Sequence, residues 1–380
     1  MKSIIYVGMD VHKITYNLCA INGQSGEIIA QTKCNADIDS VLKFIDNVKK
    51  KSGIAADDLQ IVTGYEAGCL GFSLYHELAF NNIECVILAP STMHGSVKNK
   101  MVKNDRMDAA NIATNLMCGT YKAVHVPTEH DNEIKEYIGM REDVLLARKR
   151  IKQQISALVL RRGLRYSGKS QFTAAHIKWL ETIELPDVIR EVLNEYLKVY
   201  DYLTGRIEIY NKRITEFSQE EDYQEHVSDL SCLKGVTTLS AMKIKVSIGD
   251  FTRFPTAKAF MANLGMLPGE SSSGEKHNNT PITKMGNSMV RKTLVECAQA
   301  LVKGTPGKKS KALKSRQKGR SDEIVAYADR AVERLQKRFK RMRAKNKPYN
   351  VAVMAIAREL AGFIWGIETG NIKDRTQTVV

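Results

Sequence analysis

The sequence predicts an α/β N-terminal domain on a mixed sheet, then a long helical arm, then a mainly α C-terminal domain. Three observations carry this. Short β-prone runs separated by turn residues fill the start of the chain, two long stretches with helical apolar spacing follow, and the apolar runs after them are again helical. The shifts in pattern place the domains at 1–130, 131–222 and 223–370.

Ile4–Gly8 is a short apolar run that reads as a buried strand, and Ile14–Ile21 and Glu27–Cys34 read as two more, parted by the turn-prone Asn22-Gly23-Gln24-Ser25-Gly26. Ile38–Val48 carries a helical period, Leu59–Tyr65 returns to strand, Leu70–Ala79 is helical and Ile83–Leu88 is strand. The next helix starts within Lys103-Asn104-Asp105-Arg106-Met107-Asp108 and runs to Met117, with Asp105 and Asp108 on one face near its start. The order βββαβαβα is that of an RNase H-like fold, a mixed sheet with helices on its faces.

In the arm, Ile134, Ile138, Leu145, Ile151, Ile155 and Leu158 mark one long helix that carries Arg148, Lys149, Arg150, Arg161 and Arg162. Val188–Phe217 is a second, joined to the first through the polar turn Tyr166–Thr173 as an antiparallel hairpin or coiled-coil arm. Its cationic side reads equally as a solvated face, a nucleic-acid contact or a dimer surface. Leu230–Ala241 resembles a helix-hairpin-helix segment, although Gly235-Val236-Thr237 lacks the second glycine through which backbone amides reach a phosphate. After a short helix at Ala257–Leu264, the run Pro268-Gly269-Glu270-Ser271-Ser272-Ser273-Gly274-Glu275-Lys276 is by composition a surface loop. It is also a serine-rich segment beside Lys276, Lys284, Arg291 and Lys292, the setting in which cations stabilise an attacked phosphate. Met289–Leu301 is helical, Lys303–Lys318 reads as a flexible basic insertion, Ile324–Arg343 as a helix basic on one side, and Val351–Trp365 as an apolar core helix.

A net charge of +15 exceeds what solubility needs and points to an anionic partner, nucleic acid. With 43% hydrophobic and 26% charged residues, disorder is not the default. Seven singly scattered cysteines argue against a zinc site or a disulfide framework. No run reaches the roughly 18 apolar residues of a membrane span, and the N-terminal apolar run is too short for a signal peptide, so a soluble cytoplasmic protein with no membrane partner is expected.

Asp10 ends the first predicted strand and Glu66 the fourth, so with Asp105 and Asp108 they are expected to converge on one edge of the sheet. Four carboxylates there would suit two hard divalent cations clamping a phosphodiester. Singly, each acid is equally a strand-end turn residue or a helix cap.

Four segments together resemble the motifs of the IS110/IS1111-type insertion-sequence transposases, the group that includes the Piv pilin-gene invertase. They are Val7-Gly8-Met9-Asp10-Val11-His12-Lys13, Tyr65-Glu66-Ala67-Gly68, Lys103-Asn104-Asp105-Arg106-Met107-Asp108-Ala109, and Pro268–Lys276 with Ile282-Thr283-Lys284-Met285-Gly286-Asn287. The resemblance spans almost the whole chain. It implies a RuvC-like first domain whose DEDD set, Asp10, Glu66, Asp105 and Asp108, binds two Mg2+ ions. It also implies a second domain in which Ser273, the serine next to the glycine, attacks DNA to give a covalent intermediate, Ser271 and Ser272 being the adjoining candidates. Implied partners are donor and target DNA, a structured non-coding (bridge) RNA as guide, and further copies of the chain in a homodimer or homotetramer, in the bacterial cytoplasm and on the nucleoid when active. Arg148, Lys149, Arg150, Arg161, Arg162, Lys276, Lys284 and Arg291 are the expected nucleic-acid contacts. Asn104 stands where the family often has Thr, and Lys303–Lys347 is longer than compact members need. Two other readings fit the residues: a RuvC-like structure-selective nuclease or resolvase without serine chemistry, and a non-catalytic nucleic-acid-binding protein.

Overall fold

Ile5, Val7 and Met9 alternate along β1 (Ser3–Val11) and are wholly buried on one face of a sheet, as a period of two requires. The computed structural model describes residues 2–93, 105–270 and 279–372, which fall into two units, Met1–Val126 and Pro127–Val380.

In the first unit β2 (Thr15–Asn22) and β3 (Ile28–Asn35) continue from β1 as an antiparallel meander. β4 (Leu59–Glu66) and β5 (Glu84–Leu88) add parallel strands on its other side, giving the order β3-β2-β1-β4-β5. α1 (Ile38–Ser52) starts where the Asp37 carboxylate accepts the Ser40 N–H at 2.7 Å and ends at the left-handed Gly53. With α2 (Ser73–Phe80) it covers the face that carries Ile5, Val7, Met9 and Tyr65. α3 (Asp105–Cys118) covers the opposite face through Ala109, Ile112, Ala113 and Leu116. The element order is the βββαβαβα that the sequence predicts.

In the second unit α4 (Glu129–Arg161) and α6 (Asp187–Phe217) lie side by side, and α5 (Ala174–Thr182) closes their far end over Ile155, Leu158, Leu180, Leu193 and Leu197. The tip of the arm is therefore a small core rather than the simple turn expected at Tyr166–Thr173. The larger core lies at the near end, where Ile134, Ile138 and Ile214 meet α7 (Glu221–Leu230), α8 (Thr238–Ile248) and α9 (Ala257–Asn263). A two-stranded ribbon, β6 (Pro268–Glu270) with β7 (Asn279–Ile282), precedes α10 (Ser288–Leu301).

The basic insertion is corrected by the structure. α11 (Lys311–Gln317) is capped by Ser310 and buries Leu313, while Arg316 donates to the Ser231 carbonyl at 2.9 Å and Gln317 to that of Cys232 at 3.0 Å. Its polar side chains tie it to the turn after α7, so this half of the insertion is docked. α12 (Asp322–Ala344) and α13 (Tyr349–Glu368) complete the core. By length and composition α13 is apolar enough to cross a membrane, contrary to the expectation from sequence, and half of it is buried in this core.

Candidate active site and nucleic-acid interface

β1 and β4 pair in parallel with Gly8 opposite Gly64 and Met9 opposite Tyr65. Asp10 and Glu66 are the next residues of the two strands, side by side at their carboxyl ends, and alternation turns both to the face of the glycines. That is the face α3 covers. A Cβ on Gly8 would lie 2.2 Å from the Ala109 carbonyl oxygen and 2.3 Å from the Ala113 nitrogen, so only glycine lets the helix backbone seat there. Further back along β1, Tyr6 packs against the cluster of Leu88, Ile112 and Leu116. α3 thus runs against the direction of β1, and its first turn, with Asp105 and Asp108, comes to the end that holds Asp10 and Glu66.

Asp108 is half-buried and Glu66 exposed. The Asp10 carboxylate is 18% exposed and lies 3.0 Å from His12 Nε2. All of these are oxygen donors, the chemistry a hard cation takes. Among the described residues no three His, Cys, Asp or Glu side chains are close enough to hold one ion together, and the Asp105 side chain lies outside the described residues. The sheet therefore brings the acids to one end without drawing the described ones into a closed ligand shell.

Ser271, Ser272, Ser273 and Lys276 also lie outside the described residues, in the connection between β6 and β7. The ribbon that carries that connection is pinned at its base. A Cβ on Gly265 would sit 2.0 Å from the Met285 carbonyl oxygen, and one on Gly286 1.8 Å from that of Asn263, so the chain entering the ribbon and the chain leaving it interlock. The Lys284 N–H donates to Gly265 at 3.1 Å and the Thr283 N–H to Leu267 at 3.1 Å, with Lys284 itself in the left-handed region at φ 58°. Arg291, expected as a nucleic-acid contact, donates to the Leu264 carbonyl at 2.9 Å and so ties α10 to the same base.

Arg148 and Lys149 line a groove of about 520 Å³ between α4, α8 and α10, together with Lys152, Lys243 and Lys292. At its floor Glu142 pairs with Arg141 at 2.9 Å, with Lys292 at 3.1 Å and with Lys243. Burial works against the charged carboxylate, yet the contacts with Lys243 and Lys292 outweigh it and hold Glu142 below its ordinary range. Burial also lowers the Lys152 ammonium, with Arg148 adding to the effect. Counting Arg141, Arg148, Lys149, Lys152, Lys243 and Lys292 against Glu142 and Glu296, the groove carries six cations and two anions. Arg150, Arg161 and Arg162 are exposed elsewhere along the arm. Lys243 was not singled out from sequence; the signal was a lysine between Met242 and Ile244, among the residues that α8 buries.

A family model for DEDD transposases of the IS110 type matches residues 7–162, which include all four acids, and a model described as the transposase IS116/IS110/IS902 family matches residues 228–313, which include the serine segment. A putative transposase, y4qE, of Sinorhizobium fredii (strain NBRC 101917 / NGR234) is 30% identical over 363 residues, covering 95% of this chain and 88% of that protein. The chain belongs to the IS110 family of transposases. It is similar along nearly its whole length to other insertion-sequence transposases. That of element IS1533 from Leptospira borgpetersenii is 28% identical over 91% of this chain and 99% of the relative, and that of IS1111A from Coxiella burnetii (strain RSA 493 / Nine Mile phase I) is 26% identical over 87% and 88%. This IS110-family protein is accordingly a DNA transposase, its first unit a RuvC-like DEDD domain of the kind that depends on divalent metal.

Proposed function

We propose that this IS110-family transposase cleaves and rejoins DNA through Asp10, Glu66, Asp105 and Asp108 as Mg2+ ligands and Ser273 as nucleophile. The observation that carries the reading is the seating of α3 on Gly8, which fixes the first turn of the helix at the paired strand ends of Asp10 and Glu66. Magnesium, two ions in this reading, supplies charge neutralisation at the phosphodiester and at the leaving oxygen. Ser273 Oγ forms a bond to phosphorus as the bond to the deoxyribose oxygen breaks; the hydroxyl proton is given up and the departing oxygen takes one, so the phosphoryl group is conserved on serine. Attack by the hydroxyl of another strand reverses these steps and rejoins the DNA. The cationic groove suits the phosphate backbones of DNA and of a structured guide RNA. The working enzyme is a homodimer or homotetramer in which residues 1–130 form the metal domain, 131–222 the arm and 223–370 the serine domain.

The test is to trap protein–DNA adducts with the element's own ends, its transcript and Mg2+. Ser273→Ala should abolish the adduct, and Asp10→Ala should reduce strand cleavage by at least about a hundredfold at unchanged melting temperature. Metal-dependent cleavage that persists in Ser273→Ala would select a RuvC-like nuclease instead, and full activity in both variants would sink the proposal.

A further inference from the structure

α6 has one more apolar face than its fold uses. Leu193, Leu197, Tyr200, Ile207 and Ile214 are buried on the side that faces α4. Glu191, Asn194, Lys198, Asp201, Glu208 and Lys212 form a polar sector. Between them runs a second stripe, Val188, Val192, Val199, Tyr202 and Ile209, whose exposures range from 36% to 69%. With Glu195 and Arg206 filling the two gaps, the spacing along it alternates four and three residues, the heptad seam of a coiled coil. An exposed apolar stripe of this regularity marks an interaction surface.

We propose that this stripe is the seat of a second copy of the chain, packed as an antiparallel two-helix seam. The charges in the seam select both partner and direction. A two-fold axis passing between Tyr200 and Asp201 sets Val192 against the partner's Ile209 and Val199 against the partner's Tyr202. The same axis sets Glu195 against the partner's Arg206, an opposite-charge layer that the symmetry makes twice. On the flank, the exposed Glu191 falls beside the partner's Lys212. A parallel seam in register would instead oppose Glu195 to the partner's Glu195 and Arg206 to the partner's Arg206, burying like charges. Within one chain Glu195 makes an exposed contact to Lys198, 2.6 Å long, and Arg206 lies over the Tyr210 ring with Oη at 3.2 Å, interactions weak enough to be exchanged. The seam deepens the oligomer proposed above by naming its interface. It makes no use of the serine chemistry, so DNA adduct formation is a separate readout.

Sedimentation equilibrium on the full chain without nucleic acid tests it, with circular dichroism melts to verify folding. The wild type should be dimeric at micromolar concentration. E195R and R206E should each weaken the dimer by about tenfold or more, because each places like charges against each other twice. The double variant E195R/R206E should recover the wild-type association, since the antiparallel seam merely exchanges the two signs. A monomeric wild type, single variants that associate normally, or a double variant no better than the singles would overturn the proposal.

Discussion

The two units place their acidic side chains by different means. In Met1–Val126 the positions of Asp10, Glu66 and Asp108 follow from strand register and from a helix backbone pressed onto Gly8. In Pro127–Val380 the carboxylates of the core are held by cations: Glu142 by Arg141, Lys243 and Lys292, Glu359 by Arg334 and Arg338, and the nearly buried Glu368 by Lys245 at 3.6 Å, with the His226 ring 2.9 Å away. The contrast separates two uses of one residue type. An acid enclosed by cations is part of what holds the fold, whereas acids set out along strand ends by backbone packing are delivered to a place, and the packing that delivers them can be disrupted without touching them.

Gly8→Ala is the strongest way to break the first arrangement. The methyl group would meet backbone atoms of α3 at 2.2 and 2.3 Å, so helix and strand must part, at a cost of about 3 kcal/mol. Both tryptophans, Trp179 and Trp365, lie in the second unit, which lets the units be followed separately. Urea unfolding of Gly8→Ala should lose protection in β1 and α3 by hydrogen exchange while the tryptophan transition stays in place. Glu142→Gln is the converse and should move the tryptophan transition. It leaves Arg141 and Lys243, both nearly buried, without their shared counter-ion, and about 2 kcal/mol is expected, less than for a fully enclosed pair because solvent reaches Glu142.

The smallest effect concerns His130, whose ring lies 2.7 Å from Glu220 and 3.4 Å from Glu133. The hydrogen bond to Glu220 is the main cause that raises its pKa above the ordinary 6.5; burial opposes it and the contact with Glu133 adds to it. A group raised in the folded state stabilises fully below its unfolded pKa, and that contribution is lost as pH rises through the folded value. His130→Ala should therefore cost about 0.3 kcal/mol in melts at pH 5.5 and nothing at pH 9. An equal loss at both pH values would show that the ring acts by packing alone.

Much of the first unit was legible because its signals are local. The alternation of Ile5, Val7 and Met9 gives the strand, and a strand's end gives Asp10 its place. The start of α3 at Asp105 follows in the same way from apolar spacing. What the residues did not give is contact between distant segments. Nothing near Gly8 in sequence announces Ala109, and nothing near Lys243 announces Glu142, 101 positions earlier. α11 was read as flexible from its density of lysines, because the carbonyls of Ser231 and Cys232 that dock it lie 85 residues away. α5 was missed for a related reason: Leu180 is buried only because α4 and α6 close around it.

The cores at the two ends of the arm share their helices. α4 contributes Ile134 and Ile138 to one and Ile155 and Leu158 to the other, and α6 contributes Ile214 to the first and Leu193 and Leu197 to the second. A helix of 33 residues is a rod about 50 Å long, and two such rods packed side by side bend sharply only where backbone hydrogen bonds are interrupted. In mechanical terms the arm is a lever: a tilt of about 5° at its base sweeps the small distal core through roughly 4 Å, about the spacing between neighbouring strands of a sheet.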